Sequence, residues 1–533
     1  MNTYIKSTLA VSITGLLVAC GGGGSDSSPS TLNPVTPPTT NPTVPNTPTT
    51  PTQPSISATL VGSNMLTWEQ GRTTNVQLLD QNNNAVEAVK CVSDDNVRLT
   101  VALNCSAMTV HRLGQSSITV TGANDLTTKL TVRGVPTKSP LAVNSGGNND
   151  ANRIVTVDGE VLTWGTNFRN QLSTIDANSV KYLQYPKTVV TNSGGDKLNN
   201  IYQVAHSESS TYALNNEGRV FGWGYVYKST LSGLSRVVFA EPVQDATGRN
   251  PLTNIVRLAS ASIGNEVMGL TDDGRVMRWG SSDANSPQFE VDNNGEPLKN
   301  ITSIALEYKM AYAVNKQGQV YQWDLDDNAS VHPVSLVKDM SGTPITGVTK
   351  IVTGPNHTLA LTTSGKVYAW GNNSQYQLGD PALERNNKVI EYANYVKLGS
   401  TPLNNIKDIA INFYSSYALT QSGNVYSWGS NSTGELGDGI NNPAGGQRVV
   451  PGIVVSESGQ DKLSNVVAIT GMEYGALALK SNGTIVGWGR NWHGVLTQNN
   501  PEGVDDYPYP LLIQRSEGQA LNIGDISEFT KLN

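Results

Sequence analysis

The sequence predicts an all-β protein in which one small sheet is repeated along most of the chain. Its 533 residues include 52 glycines, and clusters of Asn, Ser, Thr and Gly separate short apolar runs, which is typical of closely spaced turns between strands. No long stretch shows helical periodicity. A glycine followed five residues later by a tryptophan recurs seven times, and such internal repetition indicates a repeat architecture.

The seven repeats share more than their glycine and tryptophan. A β-branched residue lies two positions after the glycine and a larger apolar residue lies three positions after it, as Val367 and Tyr368 do after Gly365. Side chains two apart on a strand share a face, so Tyr368 and Trp370 point to one face and Val367 to the other. Both faces are therefore apolar, as sheets stacked against one another require. We assign a structural role inside the sheets to the seven repeat tryptophans, Trp164, Trp223, Trp279, Trp323, Trp370, Trp428 and Trp488.

Two segments carry a family resemblance. Residues 359–373 read LALTTSGKVYAWGNN and residues 417–437 read YALTQSGNVYSWGSNSTGELG, and both resemble the repeat of the regulator of chromosome condensation family. The resemblance extends over residues 137–533 through all seven copies. It implies that this region is a seven-bladed β-propeller.

The sequence also indicates how the ring closes. An Asn-Ile-like phrase, such as Asn405-Ile406, precedes every repeat except the first. A further copy occurs at residues 522–526, near the end of the sequence. We therefore expect this segment to complete the first blade beside Ile154 and Trp164, which would leave no exposed sheet edge.

The first residues have the features of an export signal. The apolar run 9–19 follows a basic residue and is too short to span a bilayer. It ends in the sequence LVAC, which resembles the lipobox of bacterial lipoproteins. The resemblance implies that residues 1–19 are removed and that Cys20 carries acyl chains, such as palmitate, that anchor the protein to a membrane. By the same resemblance, Gly21 favours the bacterial outer membrane, with the protein facing the periplasm or the cell surface.

Two further regions precede the repeats. Residues 20–55 are rich in Gly and Ser and then in Pro and Thr, so we expect a disordered stalk. Residues 56–136 alternate apolar and polar in short runs, which is typical of a β-sandwich, and their order resembles bacterial immunoglobulin-like domains. Cys91 and Cys105 both lie in this domain. For an exported protein we predict a disulfide between them, with two reduced thiols as the alternative.

Charge and motifs exclude several function classes. The chain has 36 Lys and Arg against 43 Asp and Glu and no basic run, which argues against a nucleic-acid partner. It contains no nucleophile elbow, Walker loop, dinucleotide fingerprint or HExxH motif, and its five histidines lack metal-ligand spacing. We therefore expect no enzyme activity, no metal and no cofactor. By the family resemblance, His357 is expected to have a packing role.

A candidate binding face follows from the repeat. In a four-stranded meander the first and third turns emerge on the same face, and loops usually carry function. Aromatic residues collect in these turns, all but one of them in repeats that adjoin once the ring closes, opposite an acidic sector at Asp283, Asp324, Asp326 and Asp327. They either cover the rims of their own blades or anchor a partner, since aromatics are preferred interface anchors. The candidate partner-binding residues are Phe168, Tyr227, Tyr308, Phe413, Tyr414, Tyr474 and Trp492.

The sequence therefore predicts an envelope lipoprotein whose propeller is a platform for an unidentified protein partner. One alternative is an enzyme inhibitor resembling the propeller-type inhibitors of β-lactamases. Another is a carbohydrate-binding surface protein, because exposed aromatic rings stack on sugars. Nucleotide exchange on a small GTPase, the activity of the founder of the resembling family, is disfavoured by the predicted export.

Overall fold

A computed structural model describes residues 54–61, 63–68, 71–142, 151–176, 179–227, 234–280, 286–307, 309–325, 333–383, 389–440, 446–497 and 506–526. The predicted signal peptide, the lipidation site Cys20 and the stalk up to residue 53 lie outside these ranges. Within them every regular element is a β-strand except one 3₁₀ turn at Trp492–Gly494, so the all-β prediction is confirmed. Within these ranges no helix has the length and apolar character needed to cross a membrane.

The N-terminal module is built from ten strands. They form three small sheets, of three, four and three strands, around one buried core. The structure joins Cys91 and Cys105 of this core in a disulfide. The strands are β1 (Ile56–Leu60), β2 (Met65–Thr67), β3 (Gly71–Thr73), β4 (Val76–Asp80), β5 (Ala85–Val86), β6 (Ala88–Ser93), β7 (Leu99–Val101), β8 (Ala107–Val110), β9 (Gly114–Gly122) and β10 (Thr127–Val135).

Seven antiparallel sheets follow within the described part of residues 151–526, and we number them one to seven in chain order. Each is a meander in which consecutive strands pair. Sheets one to four contain β11 (Ala151–Val155), β12 (Val161–Thr166) and β13 (Tyr182–Thr188); β14 (Ile201–His206), β15 (Ser210–Asn215), β16 (Val220–Tyr227) and β17 (Leu234–Pro242); β18 (Ile255–Ser260), β19 (Val267–Thr271), β20 (Val276–Trp279) and β21 (Gln288–Phe289); and β22 (Ile301–Glu307), β23 (Met310–Asn315), β24 (Val320–Asp324) and β25 (Ser335–Leu336).

The remaining sheets continue the same order, with two short hairpins beside them. Sheet five contains β26 (Val348–Thr353), β27 (His357–Thr362), β28 (Val367–Asn372) and β29 (Val389–Tyr395), and the hairpin β30 (Lys397–Leu398) and β31 (Thr401–Pro402) follows it. Sheets six and seven contain β32 (Ile406–Ile411), β33 (Ser415–Thr420), β34 (Val425–Ser430) and β35 (Gln447–Ile453); and β36 (Val466–Met472), β37 (Gly475–Lys480), β38 (Ile485–Arg490) and β39 (Asp506–Leu512), followed by the hairpin β40 (Gln514–Ser516) and β41 (Gln519–Ala520).

The sheets pack face to face around a closed ring. Each repeat tryptophan is at most 3% exposed. Trp164 lies on β12, the second strand of sheet one, and the other six lie on the third strand of their sheets. Every neighbouring pair of sheets shares an apolar cluster, as the two apolar faces of the repeat predict. A further cluster joins Ile154 and Trp164 of sheet one to Leu477 and Ile485 of sheet seven. The repeats therefore form a β-propeller.

The closing segment departs from the prediction in its pairing. Ile523 and Ile526 lie in the cluster that contains Ile154 and Trp164, as expected. However, the residue that bridges to Ile154 is Leu141, which comes just before β11. Ile523 donates its backbone N–H to the oxygen of Gly483 in sheet seven at 3.0 Å and accepts the N–H of Val157, just after β11 of sheet one, at 3.1 Å. The N-terminal side of the repeats thus supplies the inner edge of sheet one.

The N-terminal module packs against sheets two and three. Trp68 of the module is 1% exposed and joins the apolar cluster of sheets three and four. Its Nε1 donates to the backbone oxygen of Asp272 at 2.9 Å, and the backbone N–H of Leu113 donates to the Asp272 carboxylate at 3.0 Å. Asp272 lies in the turn between β19 and β20, and Leu113 also touches Gly218 in the corresponding turn of sheet two. The module therefore sits on the side of the propeller where the second turns emerge.

Candidate functional site

The first and third turns of a sheet are tied together on one side of the propeller, which we call the loop face. The backbone N–H of Arg490, at the start of the third turn of sheet seven, donates to the first-turn oxygen of Tyr474 at 2.9 Å. Ser430 donates in the same way to Tyr414 in sheet six. The intervening Gly489 has φ +102, and a Cβ on it would lie 2.2 Å from the Tyr474 oxygen. This close approach explains why glycine follows the repeat tryptophan here.

Aromatic side chains form a continuous row on the loop face of sheets six and seven. The ring of Phe413 lies 6.0 Å from Tyr414 and stacks on Tyr474 at 5.7 Å. The Arg490 guanidinium lies over Tyr474 at 4.1 Å and over Trp492 at 4.2 Å. Cation–π contacts of this kind hold a charged group in a fixed orientation.

The row continues across the seam between sheets seven and one. The His493 ring lies 6.4 Å from Trp492, 5.7 Å from Phe168 and 6.1 Å from Tyr182. Phe168 is 59% exposed, whereas the other members are half-buried. We call the whole row the aromatic arc; its members are Tyr414, Phe413, Tyr474, Arg490, Trp492, His493, Phe168 and Tyr182.

The structure brings together five of the seven candidate residues, namely Phe168, Phe413, Tyr414, Tyr474 and Trp492. Tyr227 ends β16, and nothing about its side chain is described. Tyr308 lies outside the described residues, as do Asp283, Asp326 and Asp327 of the expected acidic sector.

Sequence reasoning missed three members of the arc. Arg490 lies two residues after the tryptophan of its repeat, where the other repeats have the uncharged Thr166, Tyr225, Ser281, Leu325, Asn372 and Ser430. A charged residue at this position in only one repeat could have identified Arg490 from the sequence. His493 was set aside for lacking metal-ligand spacing, and Tyr182 gives no signal because its contact with sheet seven depends on ring closure.

The arc rests on sheets that are hydrogen-bonded to each other through their tryptophans. Trp428 Nε1 donates to the backbone oxygen of Gln377 in the third turn of the preceding sheet at 2.9 Å, and the Ser416 hydroxyl donates to the same oxygen at 2.8 Å. We call the bond from tryptophan to turn oxygen the latch. The other latches join Trp164 to Val495 at 2.8 Å, Trp223 to Gln171 at 2.9 Å and Trp488 to Glu435 at 2.9 Å.

An asparagine folds each latched turn. Asn491 Oδ1 accepts the backbone N–H of Leu496, five residues later, at 2.8 Å. Sheets two, three and four lack this Asn and Leu pair in their third turns. The tryptophans of the next sheets, three, four and five, therefore form no latch. Trp279 and Trp370 donate to no turn oxygen among the described residues. Trp323 donates to the Glu290 carboxylate at 2.8 Å. The equivalent bonds in the other latched turns are Leu172 to Asn167, Leu378 to Asn373 and Leu436 to Asn431.

His357 lies beneath one latch. Its Nε2 is 2.7 Å from the Ser416 hydroxyl, which itself donates to Gln377, so Nε2 carries the proton and Nδ1 does not. Nδ1 is buried and has no hydrogen-bond partner among the described residues. Burial lowers the pKa of His357 to about 3. These contacts fit the predicted packing role.

A cavity of about 510 Å³ adjoins the arc on the loop face. Its lining includes Met310 and Trp370 beside Glu307 and Asn356, so it is partly apolar and partly polar. Glu307 already accepts the Ser262 hydroxyl at 2.6 Å, and Asn356 Nδ2 donates to the Phe413 oxygen at 2.9 Å. The bond between Asn356 and Phe413 therefore links the cavity wall to the arc. Across the ranges that the structure describes, no group of three His, Cys, Asp or Glu side chains is placed to hold a metal ion.

Comparison with known proteins identifies the repeat. Residues 348–377 and 406–435 match the family model described as Regulator of chromosome condensation (RCC1) repeat. The matches cover β26 to β28 with the following turn, and β32 to β34 with theirs. The chain therefore contains RCC1 repeats in the propeller that the structure shows.

Curated relatives share only part of their length with this chain. It is 26% identical over 383 residues to the E3 ubiquitin-protein ligase HERC2 of Homo sapiens. The aligned region covers 69% of this chain and 7% of HERC2. It is 31% identical over 152 residues to Protein pim1 of Schizosaccharomyces pombe, covering 28% of this chain and 25% of pim1. Among solved structures, Prp20p from Saccharomyces cerevisiae, studied for its binding to Gsp1p and histones, has 19% identity, 68% and 88% coverage of the two chains and a TM-score of 0.49.

The latch can be tested with two buried tryptophans, of which Trp428 has a donor contact and Trp279 has none among the described residues. We expect Trp428→Phe to lower the free energy of unfolding by about 1 kcal/mol more than Trp279→Phe, because it removes a buried hydrogen bond whereas Trp279 has none to lose. Urea denaturation of both variants measures the difference. Equal losses would contradict a stabilising latch.

The burial of His357 predicts an acid-sensitive step. The folded imidazole stays neutral down to about pH 3, whereas the unfolded chain takes up a proton below the ordinary pKa of 6.5. The unfolded state therefore binds more protons between these values, so stability falls as pH falls, by up to about 1.4 kcal/mol per pH unit from this group. His357→Gln keeps a donor for Ser416 but cannot titrate, and we expect a flatter profile of unfolding free energy from pH 6.5 to 3. Parallel profiles would refute this assignment.

Proposed function

We propose that the protein is a lipid-anchored lipoprotein of the bacterial outer membrane whose seven-bladed propeller binds a protein partner through the aromatic arc. In this proposal the seven sheets are the seven blades, residues 56–136 are an immunoglobulin-like spacer, and Cys20 carries the anchor. The role involves no catalytic step. The single observation that carries the binding function is the continuous arc on the loop face.

The position of the N-terminal module supports this assignment. The module contacts second turns, through Trp68 and Asp272, whereas the arc lies on the first and third turns. It therefore leaves the arc accessible. An anchored chain whose spacer occupies one side of the propeller presents the other side to a partner.

The chemistry of the arc favours a protein over a sugar. Sugars stack on open aromatic faces, but Phe413 and Tyr474 stack on each other and Arg490 covers Tyr474 and Trp492. Phe168 has the most exposed ring. Interlocked rings around an arginine match the composition of protein-interface hot spots. Inhibition of a β-lactamase would be one case of such binding, and titration of the protein against these enzymes tests it directly.

The binding face is tested by removing two of its rings, one from sheet seven and one from sheet one. We expect Phe168→Ala/Trp492→Ala to lose the proteins that the wild type captures from envelope fractions by mass spectrometry, since both rings would be anchors. Phe168 is exposed and Trp492 half-buried, so the change in unfolding free energy should stay within about 1 to 2 kcal/mol. Met340→Ala, which removes a 77% exposed side chain from the turn before β26, is the matched control. Identical recovery by all three proteins, or a glycan array signal that the double variant loses, would contradict a protein platform.

The anchor has its own test. We expect Cys20→Ser to abolish labelling by radioactive palmitate and to move the protein from the membrane to the soluble fraction, because the thiol is the acceptor of the lipid. The control is Cys91→Ser/Cys105→Ser, which removes the disulfide and should keep the label. Continued labelling of Cys20→Ser would exclude this anchor.

A further inference from the structure

Arg490, like Arg257 of β18, has among the described residues none of the ion pairs that hold Arg278 and Arg448 of the propeller. Arg278 pairs with Glu266 at 2.9 Å and Glu290 at 2.8 Å, and Arg448 pairs with Asp438 at 2.6 Å. Arg490 makes no ion pair and no side-chain hydrogen bond with any described residue, although Asp506 lies opposite it in the β38–β39 ladder. Its Nε is buried without a partner, and its two terminal nitrogens are not buried.

The rings on either side decide how a ligand can reach this charge. Tyr474 and Trp492 both lie about 4 Å from the guanidinium carbon, at 4.1 and 4.2 Å. The two terminal nitrogens make no hydrogen bond with any described residue and are not fully buried, so a ligand can reach them. An edge-on approach is the geometry in which a guanidinium binds a carboxylate through two parallel hydrogen bonds.

A partner that covers the arc must also cover this charge. Burying an arginine without a counter-ion costs several kcal/mol, which would offset much of the gain from burying the aromatic rings. An apolar partner surface would therefore be rejected, whereas one that presents an anion at this point would be accepted. Arg490 thus makes the aromatic arc selective for partner surfaces that carry an anion at this point.

A single carboxylate fits the site better than a polyanion. The chain has a net charge of −7 and no basic run, so a nucleic acid or a polyphosphate would be repelled overall. We infer that Arg490 is the specificity-determining residue of the loop face and that it receives a carboxylate, from an Asp, a Glu or a chain terminus, of the protein partner. This inference rests on the proposed function, because it names the partner chemistry at the same arc.

The test is a peptide selection followed by a double-mutant cycle. Random displayed peptides are selected on the full chain after removal of those that also bind Phe168→Ala/Trp492→Ala. We expect Asp or Glu to be enriched. The affinity of the best peptide and of its Glu→Gln or Asp→Asn form is then measured by fluorescence anisotropy on wild type, Arg490→Gln and Arg249→Gln. Arg249 is an exposed arginine in the turn between β17 and β18, on the side of the second turns.

Neutralising the peptide acid should weaken binding about tenfold on wild type and on Arg249→Gln, but less than about twofold on Arg490→Gln, because the charge it pairs with is already gone. Melting curves show whether Arg490→Gln stays folded, and Arg490→Lys, which keeps the charge without the fork, should retain a weaker preference for the acidic peptide. Selected peptides without acidic enrichment, or an equal loss on Arg490→Gln, would overturn the inference while leaving the platform intact. Failure of the wild type to retain any peptide beyond the double variant would overturn both.

Discussion

The latch from the repeat tryptophan to the preceding turn joins, among the described residues, four of the seven pairs of neighbouring sheets, including the pair that closes the ring. It uses one backbone oxygen as a shared acceptor: Val495 receives both the Trp164 indole and the Asn152 amide, each at 2.8 Å. Because this pair of bonds joins the seventh sheet to the first, it closes the ring with directional contacts that apolar packing alone does not supply. A buried oxygen that lost both donors would cost more than the two bonds are worth, since it could not return to water.

The latches are confined to one part of the ring, and the positions of the arc and of the N-terminal module correspond to where latches are present or absent. Turns of sheets one, five, six and seven carry latches, and three of these sheets also carry the arc. Sheets two, three and four have no latch in their third turns, and the N-terminal module packs against the second turns of sheets two and three, on the other side of the propeller. Trp68 places its ring in the cluster of sheet three and donates to Asp272, so a tryptophan from outside the repeats supplies a contact between a buried indole and a turn oxygen.

The sequence predicts those features that recur at a fixed offset. The repeat tryptophans and the aromatics three residues beyond Trp-Gly, such as Phe168 and Trp492, follow from the register of the repeat. The sequence does not predict features that depend on which sheets become neighbours in the ring. The contact of His493 with Phe168 and Tyr182 exists only once sheet seven meets sheet one, and the pairing of Leu141 with Ile154 was hidden because Leu141 lacks the Asn-Ile phrase that residues 522–526 imitate.

The arc crosses the seam that the Val495 latch closes. Arg490, Trp492 and His493 belong to sheet seven, whereas Phe168 and Tyr182 belong to sheet one, and His493 contacts both of the latter. A ligand that binds both sides of a seam binds the closed ring more tightly than any opened form, so it stabilises closure by its own binding free energy. The reverse also holds: a seam held by Val495 keeps the rings in place before a partner arrives, which lowers the ordering cost of binding. The contact that completes the fold is therefore also the one that prepares the binding face.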